Sequence, residues 1–388
     1  MNTPAARIIM FLSVTICMVT AGIYAYTEDI NYLLLPVCFI AAIYLLQNPE
    51  LLFYVLIVFI PWSIEFHFKG GLSTDLPDEP LMLLSTLSII IIIIYNRNKT
   101  GRKEIQPLVF IILLQLLWTV ATVINSTDNI ISVKYLLAKS WYLMAFLFFP
   151  LWLFRNKKVL RTSAIVLLIS MLTFMFVALT RQIFNEMRFD LVNDSLRPFF
   201  HNHVNYSALL VFMVPIEIAV IRLAGTARLR IFMSCMVAIT IVALYFSYSR
   251  GAWLAFGSGL LAYWLIKKQF LLTAFFGFML ICIGSVAWLK HNNNYLKFSP
   301  DYNTTIFHED FQEHLVATYK MKDLSTAERF YRWVAGTRMI EDYWQTGSGP
   351  GSFYNEYKPY TVPAFKTWVS ANKEHTTVHN YFLLLLLQ

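Results

Sequence analysis

The sequence predicts an all-α protein, a polytopic integral membrane helical bundle, on three observations. Of its 388 residues 57% are hydrophobic and only 14% are charged, against roughly 25% charged in an ordinary soluble domain. Apolar runs long enough to enter a bilayer recur from the N-terminus to about residue 289. The basic residues between those runs fall on alternate loops. Together these exclude a soluble enzyme, a disordered chain and an ordinary nucleic-acid binder. The four cysteines, Cys17, Cys38, Cys235 and Cys282, all lie inside apolar runs and form neither a disulfide framework nor a zinc spacing.

Taken in order, spans are expected near 8–26, 31–46, 51–66, 80–95, 107–124, 136–154, 159–179, 206–223, 231–248, 253–266 and 271–289. Each approaches the roughly 17–20 apolar residues that a crossing helix needs. The first run lacks a signal-peptide cleavage pattern and reads as a true helix. With the N-terminus inside, the inner loops collect Arg7, then Arg97, Lys99, Arg102 and Lys103, then Arg155, Lys157, Lys158 and Arg161. Arg222, Arg228 and Arg230, then Lys267 and Lys268, continue the set, and the only acids in it are Glu50 and Glu104. This is the positive-inside pattern, so most of the net charge of +8 reflects topology rather than an anionic partner. Residues 1–289 are therefore read as the transmembrane bundle and 290–378 as one long outer loop domain. Residues 379–388 read as the start of a final, twelfth helix, in a chain expected to be incomplete at its C-terminus. The outer loop balances its charges, is rich in aromatics and has no cysteine. No internal repeat is visible, which disfavours transporter folds built from duplicated halves.

Charges near a bilayer cost free energy, so those that topology does not require are the informative ones. Ser247-Tyr248-Ser249-Arg250-Gly251-Ala252-Trp253 puts an arginine on a very short outer turn, where the positive-inside rule discourages it. Snorkelling to lipid phosphate also accounts for Arg250, and Gly251 is expected to allow close approach or an unusual φ. In the outer loop, Ser325-Thr326-Ala327-Glu328 fits a capping box opening a helix from about 326 to 343. Arg329 and Arg332, three apart, then share one face. The following Thr346-Gly347-Ser348-Gly349-Pro350-Gly351-Ser352-Phe353 stops the helix and can offer backbone N–H groups to an anion. It lacks the GK[ST] ending of a Walker loop. His375-Thr376-Thr377-Val378-His379-Asn380 places His379 where the loop re-enters the membrane, and imidazole can serve there as a general base. The pair of histidines has no adjoining carboxylate or cysteine, so no metal site is assigned. Arg197-Pro198-Phe199-Phe200-His201-Asn202-His203-Val204-Asn205, before the span at 206, can either bind sugar hydroxyls or be a plain polar loop.

The order of these clusters is more specific than any one of them. An SRG-Ala-Trp turn, a long outer loop with E-R-x-x-x-W and G-x-G-P-G-x-F, and a His-Asn at the next span resemble the bacterial O-antigen ligase and polymerase family over about residues 195–388. The N-terminal half matches only as a bundle of apolar spans. The resemblance implies an inner-membrane glycosyltransferase using lipid-linked glycans. It implies that Arg250 and Arg329 hold the donor diphosphate and that His379 is the catalytic base. Asn205, with Phe200 before it, resembles a further family motif of less defined role. Arg332 and Arg197 are added on spacing, and His203 as a possible sugar contact. The family continues through one or two more helices after its His-Asn motif, which this sequence lacks.

The chemistry such a site requires suits these residue types. A donor on undecaprenyl diphosphate arrives already activated, and charge builds on the diphosphate as the glycosidic bond breaks. Arginine is permanently charged and bonds phosphate oxygens in a fork, so two arginines can replace a metal. No cofactor is expected. The acceptor hydroxyl, on a lipid A-core sugar, loses its proton as it attacks, and attack opposite the diphosphate predicts inversion. This places the site on the periplasmic face of the bacterial inner membrane, with the N-terminus cytoplasmic. The expected function is thus a metal-independent, inverting ligase whose partners are the lipid-linked donor, the lipid A-core or glycan acceptor and the bilayer, with no nucleic acid. A polymerase of the same family, whose acceptor is another lipid-linked repeat, is the alternative. A transporter or flippase, of another class, requires ionisable residues deep in its spans, and Lys139 and Glu217 are the main ones.

Overall fold

The computed structural model describes residues 4–27, 31–67, 73–96, 107–299, 324–367, 370 and 377–388. Its described residues form an all-helical protein apart from one two-stranded hairpin. Among the described residues, seven helices are long and apolar enough to cross a membrane, or eight if a bent pair counts as one span. The chain is a multi-pass membrane protein. Arg97, Lys99, Arg102, Lys103 and Glu104, read from the sequence as an inner loop, lie outside the described residues, as do His375 and Thr376.

The helices divide into two compact units. The first holds residues 1–102 and 141–174. It contains α1 (Pro4–Thr27), α2 (Asn31–Gln47), α3 (Pro49–Phe59), strands β1 (Ile64–His67) and β2 (Ser73–Leu76), and α4 (Asp78–Asn96). Here the expected span at 51–66 is corrected. The apolar run bends by 120° between Leu34–Gln47 and Pro49–Phe59. Pro49 has no N–H to give the preceding turn and excludes its neighbour from the helical region, and Asn48 accordingly sits at φ −124°, ψ 75°. The helix resumes for only 11 residues, and the chain after it pairs as a hairpin in the register Ile64 opposite Leu76 and His67 opposite Ser73. Ser63 Oγ donates to Asp78 Oδ1 at 2.6 Å, tying the chain before the hairpin to the start of α4. The unit's core joins Leu52, Phe53, Leu56 and Ile57 of α3 to Leu81, Met82 and Ile89 of α4 and to Phe149 and Leu153.

The second unit holds residues 103–140 and 175–388. It comprises α5 (Pro107–Ile124), α6 (Asn129–Leu143) as far as residue 140, and the C-terminal end of α8 (Lys157–Phe184). A π-turn at Met144–Phe148 and α7 (Phe149–Leu153) prolong α6 in the first unit. The second unit continues with α9 (Val192–Leu196), α10 (His203–Leu223), α11 (Ala227–Phe246), α12 (Arg250–Lys267) and α13 (Leu271–Lys290). In α12, charges at both ends and three glycines dilute the apolarity, and it falls outside the seven. Buried Glu217 of α10 accepts a 2.8 Å bond from Thr240 of α11. The long loop then supplies α14 (Leu324–Asp342) and the short α15 (Phe353–Glu356), and α16 (Tyr381–Leu387) follows. Tyr331, Ala335 and Met339 of α14 pack with Phe353, Tyr357, Phe365 and Val378, and with Leu383 and Leu387 of α16.

Candidate active site around His379

The corner that presents His379 is fixed on both sides. Before it, Val378 is fully buried in the aromatic core of the loop. After it, Asn380 is the N-cap of α16, its side-chain oxygen accepting from the amides of Phe382 (3.1 Å) and Leu383 (3.2 Å). Between these anchors His379 takes φ +51°, a left-handed conformation that non-glycine residues adopt only when their surroundings impose it. The imidazole reaches the surface, yet enough protein surrounds it that desolvation lowers its pKa below the usual histidine value. Arg332 and then Arg329 lower it further by repelling the positive form, while Glu328 opposes them. Burial and the two arginines thus favour the neutral ring, the state a base requires.

Arg329 and Arg332 have separate fates on α14. Arg329 is exposed, whereas Arg332 is buried at 3% exposure. Arg332 Nη2 pairs with Glu328 Oε2 at 3.2 Å and Nη1 donates to the carbonyl of Thr377 at 3.2 Å. The other carboxylate oxygen of Glu328 accepts from the hydroxyls of Thr367 and Ser370. The acid expected to close a capping box with Ser325 is thus turned into the loop, where it joins three segments. Arg332 positions the residues just before His379, with both terminal nitrogens engaged. Arg329 is exposed, and its charge acts on His379 electrostatically.

Arg250 is the first residue of α12, directly after a locked turn. Ser247 and Ser249 are buried, Tyr248 donates its hydroxyl to the carbonyl of Met187, and Trp253 Nε1 donates to Leu244 O at 2.8 Å. The left-handed residue of this turn is Tyr248, at φ +54°. Gly251, expected to supply such freedom, lies inside the helix with open space where a side chain would go. Arg250 itself is half-buried. A guanidinium at a helix N-terminus adds to the positive end of the dipole, which is unfavourable without an anion and favourable with one.

The loop ahead of α10 uses its polar groups internally. His203 Nδ1 and its amide both meet Asn193 Oδ1 at 2.9 Å. Asn202 caps α10 through Val204 N, and Asn205 is exposed, its amide donating to Asn202 O. Arg197 is exposed and pairs with Asp194 at 3.2 Å. Arg181, which the sequence did not single out, donates to the carbonyls of Arg197 and Asp194 and pins this loop.

The glycine-rich turn joins the loop to the turn after α5, and several of its amides are engaged within the protein. The amides of Gly347, Ser348 and Ser352 already donate to Tyr343, Leu387 and Gly349. Ser348 O accepts from the amide and hydroxyl of Thr127, and Pro350 O accepts from Ser132 Oγ at 2.8 Å. Gly349 has φ +103°, and a Cβ there would stand 2.1 Å from Ser126 Oγ. Gly349→Ala is expected to cost about 1–3 kcal/mol through strain and overpacking, read as a lowered thermal midpoint in detergent. Gly225→Ala, which meets nothing within 4 Å, should be near neutral. Equal midpoints for the two variants would refute the joint.

Residues 235–388 match a family model described as O-antigen ligase. The chain carries an O-antigen ligase family domain. No curated protein and no solved structure matches the chain. The O-antigen ligase domain starts inside α11 and takes in Arg250, Arg329, Arg332 and His379, while Arg197, His203 and Asn205 precede it. Members of the family are membrane glycosyltransferase-like ligases and polymerases, which places lipid-linked glycans and their acceptors among the substrates of the family.

Proposed function

We propose that the protein is an O-antigen ligase-type glycosyltransferase. It moves a glycan from undecaprenyl diphosphate to a hydroxyl of the lipid A-core, at the periplasmic face of the inner membrane. The observation that carries this reading is the His379 corner, where an imidazole with a lowered pKa feels the charges of α14 within the family-matched segment. His379 takes the proton of the acceptor hydroxyl as the oxygen attacks the anomeric carbon. Arg250 and Arg329 hold the diphosphate, whose negative charge grows as the glycosidic bond breaks. Preorganised charge at a developing anion is commonly the largest catalytic contribution. Attack from the side opposite the diphosphate inverts the anomeric centre. Permanent cations do the neutralising, so the reaction is proposed to be metal-independent and to continue in EDTA.

The test is a deletion strain of the parent organism, with lipopolysaccharide run on a gel and carrier-linked glycans extracted in parallel. Bare core lipid with long glycans accumulating on the carrier is the expected result. The wild-type chain, supplied with any further C-terminal sequence of its gene, should restore the normal profile, and Arg250→Ala or Arg329→Ala should not. Core bearing a single repeat, with only short carrier-linked units, would identify a polymerase instead. Profiles identical to the parent strain would remove the protein from this pathway.

A further inference from the structure

Lys139, a cation within a membrane helix, is used neither by topology nor by the proposed mechanism. Lys139 lies ten residues into α6 and is half-buried. Its ammonium donates a long 3.4 Å bond to Thr119 Oγ1 of α5 and sits 5.7 Å from the ring of Tyr135. Among the described residues no carboxylate pairs with it. A charge inside a span is expensive and usually marks a substrate path or a partner.

The surroundings of Lys139 are organised. Gln115, Thr119, Thr122 and Ser126 recur at i, i+4, i+7 and i+11, so they line one face of α5 and run into the turn after it. On α6, Ser132, Tyr135 and Lys139 recur at i, i+3 and i+7. The two rows meet, with Ser126 Oγ 2.6 Å from Ser132 Oγ at one end and Lys139 on Thr119 further in. Gln115 reaches the hydroxyl of Tyr381 at 3.4 Å, and Tyr381 also lies close enough to Lys139 to interact with it electrostatically. Tyr381 is two residues beyond His379. A helical side chain leans toward the N-terminus of its helix, which carries the ammonium toward Tyr135 and the end of α6 that begins at the Ser126–Asn129 turn. The seam therefore runs from that turn to an acid-free cation beside the helix that His379 precedes.

We propose that Lys139 binds a phosphate group carried on a membrane lipid, as a further anion-holding residue beside the His379 corner. This rests on the proposed transferase function and supplies a substrate contact within the membrane thickness. The phosphate comes from the polyprenyl diphosphate of the donor or from a phosphorylated acceptor glycolipid. An ammonium among hydroxyl, amide and phenol groups with no competing carboxylate is suited to a phosphate oxygen.

The test uses the full chain in nanodiscs of zwitterionic lipid, with binding of undecaprenyl diphosphate and of bis-phosphorylated lipid A measured separately. Lys139→Met should weaken one of the two by at least about tenfold, the loss expected for one charge-assisted hydrogen bond. Lys139→Gln, which keeps a donor for Thr119, should lose the same affinity, whereas Lys139→Arg should retain most of it. Lys134→Met, on the exposed side of the same helix, should bind as the wild type does. Loss on the first lipid assigns the donor phosphate, and loss on the second assigns the acceptor. Unchanged binding of both lipids by folded Lys139→Gln overturns this inference and leaves the transferase reading intact. Failure of the wild type to bind either lipid overturns both.

Discussion

Replacing His379 by alanine should lower transfer by roughly 10²–10⁴-fold, the usual worth of a positioned general base, while leaving the loop folded. The anchors on either side do not depend on the ring: Val378 stays in its core and Asn380 keeps its cap on α16. His379→Asn is the sharper variant, because asparagine tolerates the left-handed backbone that alanine does not. It should match alanine in lost transfer and exceed it in thermal midpoint. The pH profile carries a second signature. Desolvation, then Arg332 and Arg329, lower the pKa of the ring, so a neutral base persists below the usual histidine value of about 6.5. Activity should therefore fall on acidification only below that value. Arg329→Ala removes one repelling charge and should move the acid limb upward in whatever activity remains. Full transfer by His379→Asn, at any pH, would end the general-base assignment.

Glu328→Ala is the second large effect, and it acts on stability. Its carboxylate is the counter-charge of a buried arginine and the acceptor for Thr367 and Ser370. Removing one member of a buried pair leaves the other charge uncompensated, at about 3–5 kcal/mol. The measurement is limited proteolysis of residues 324–388 together with the thermal midpoint. Both should report a loosened loop, with transfer lost as a consequence because Arg332 no longer holds the Thr377 carbonyl ahead of His379. Glu328→Leu combined with Arg332→Met should recover much of the midpoint but not the transfer, since apolar pairs of similar size often replace buried ion pairs without penalty. A midpoint unchanged in Glu328→Ala would show that the network carries no load.

What the sequence could disclose tracks the range of the interactions involved. Apolar runs and their flanking charges are local, and they located α4, α5 and α10 to α13 to within about four residues and α14 to within about two, but they began α6 at residue 136 rather than Asn129 and gave no sign of the short α9. The bend at Asn48-Pro49 was also local, but continuous hydrophobicity on both sides concealed it, and only the proline spoke for the break. Glu328 shows a different limit. Its spacing from Ser325 satisfies a capping box, while its true partners, Thr367 and Ser370, lie about forty residues away and leave no mark near it. Spacing likewise put Arg329 and Arg332 on one face without saying which would turn inward. Asn380 belonged to a recognisable motif, yet its geometry here is an ordinary helix cap before a leucine run. The left-handed position in the SRG turn fell on Tyr248 rather than Gly251, because burial of the flanking serines and the bond to Met187 dictate that backbone.

Under the proposed function, the anchoring of the His379 corner has a consequence for what the transferase can accept. A base held by a packed neighbour, a capped helix and an unusual backbone angle has little freedom to follow a misplaced hydroxyl. Selectivity then becomes a matter of aim: among the many hydroxyls of a sugar-rich acceptor, only one that arrives along the axis of the imidazole lone pair can surrender its proton. Under the proposed function, regioselectivity would be written into the direction of approach more than into a pocket that grips the sugar. Related chains with the same corner would then differ in their acceptors through the surfaces that guide the glycan inward.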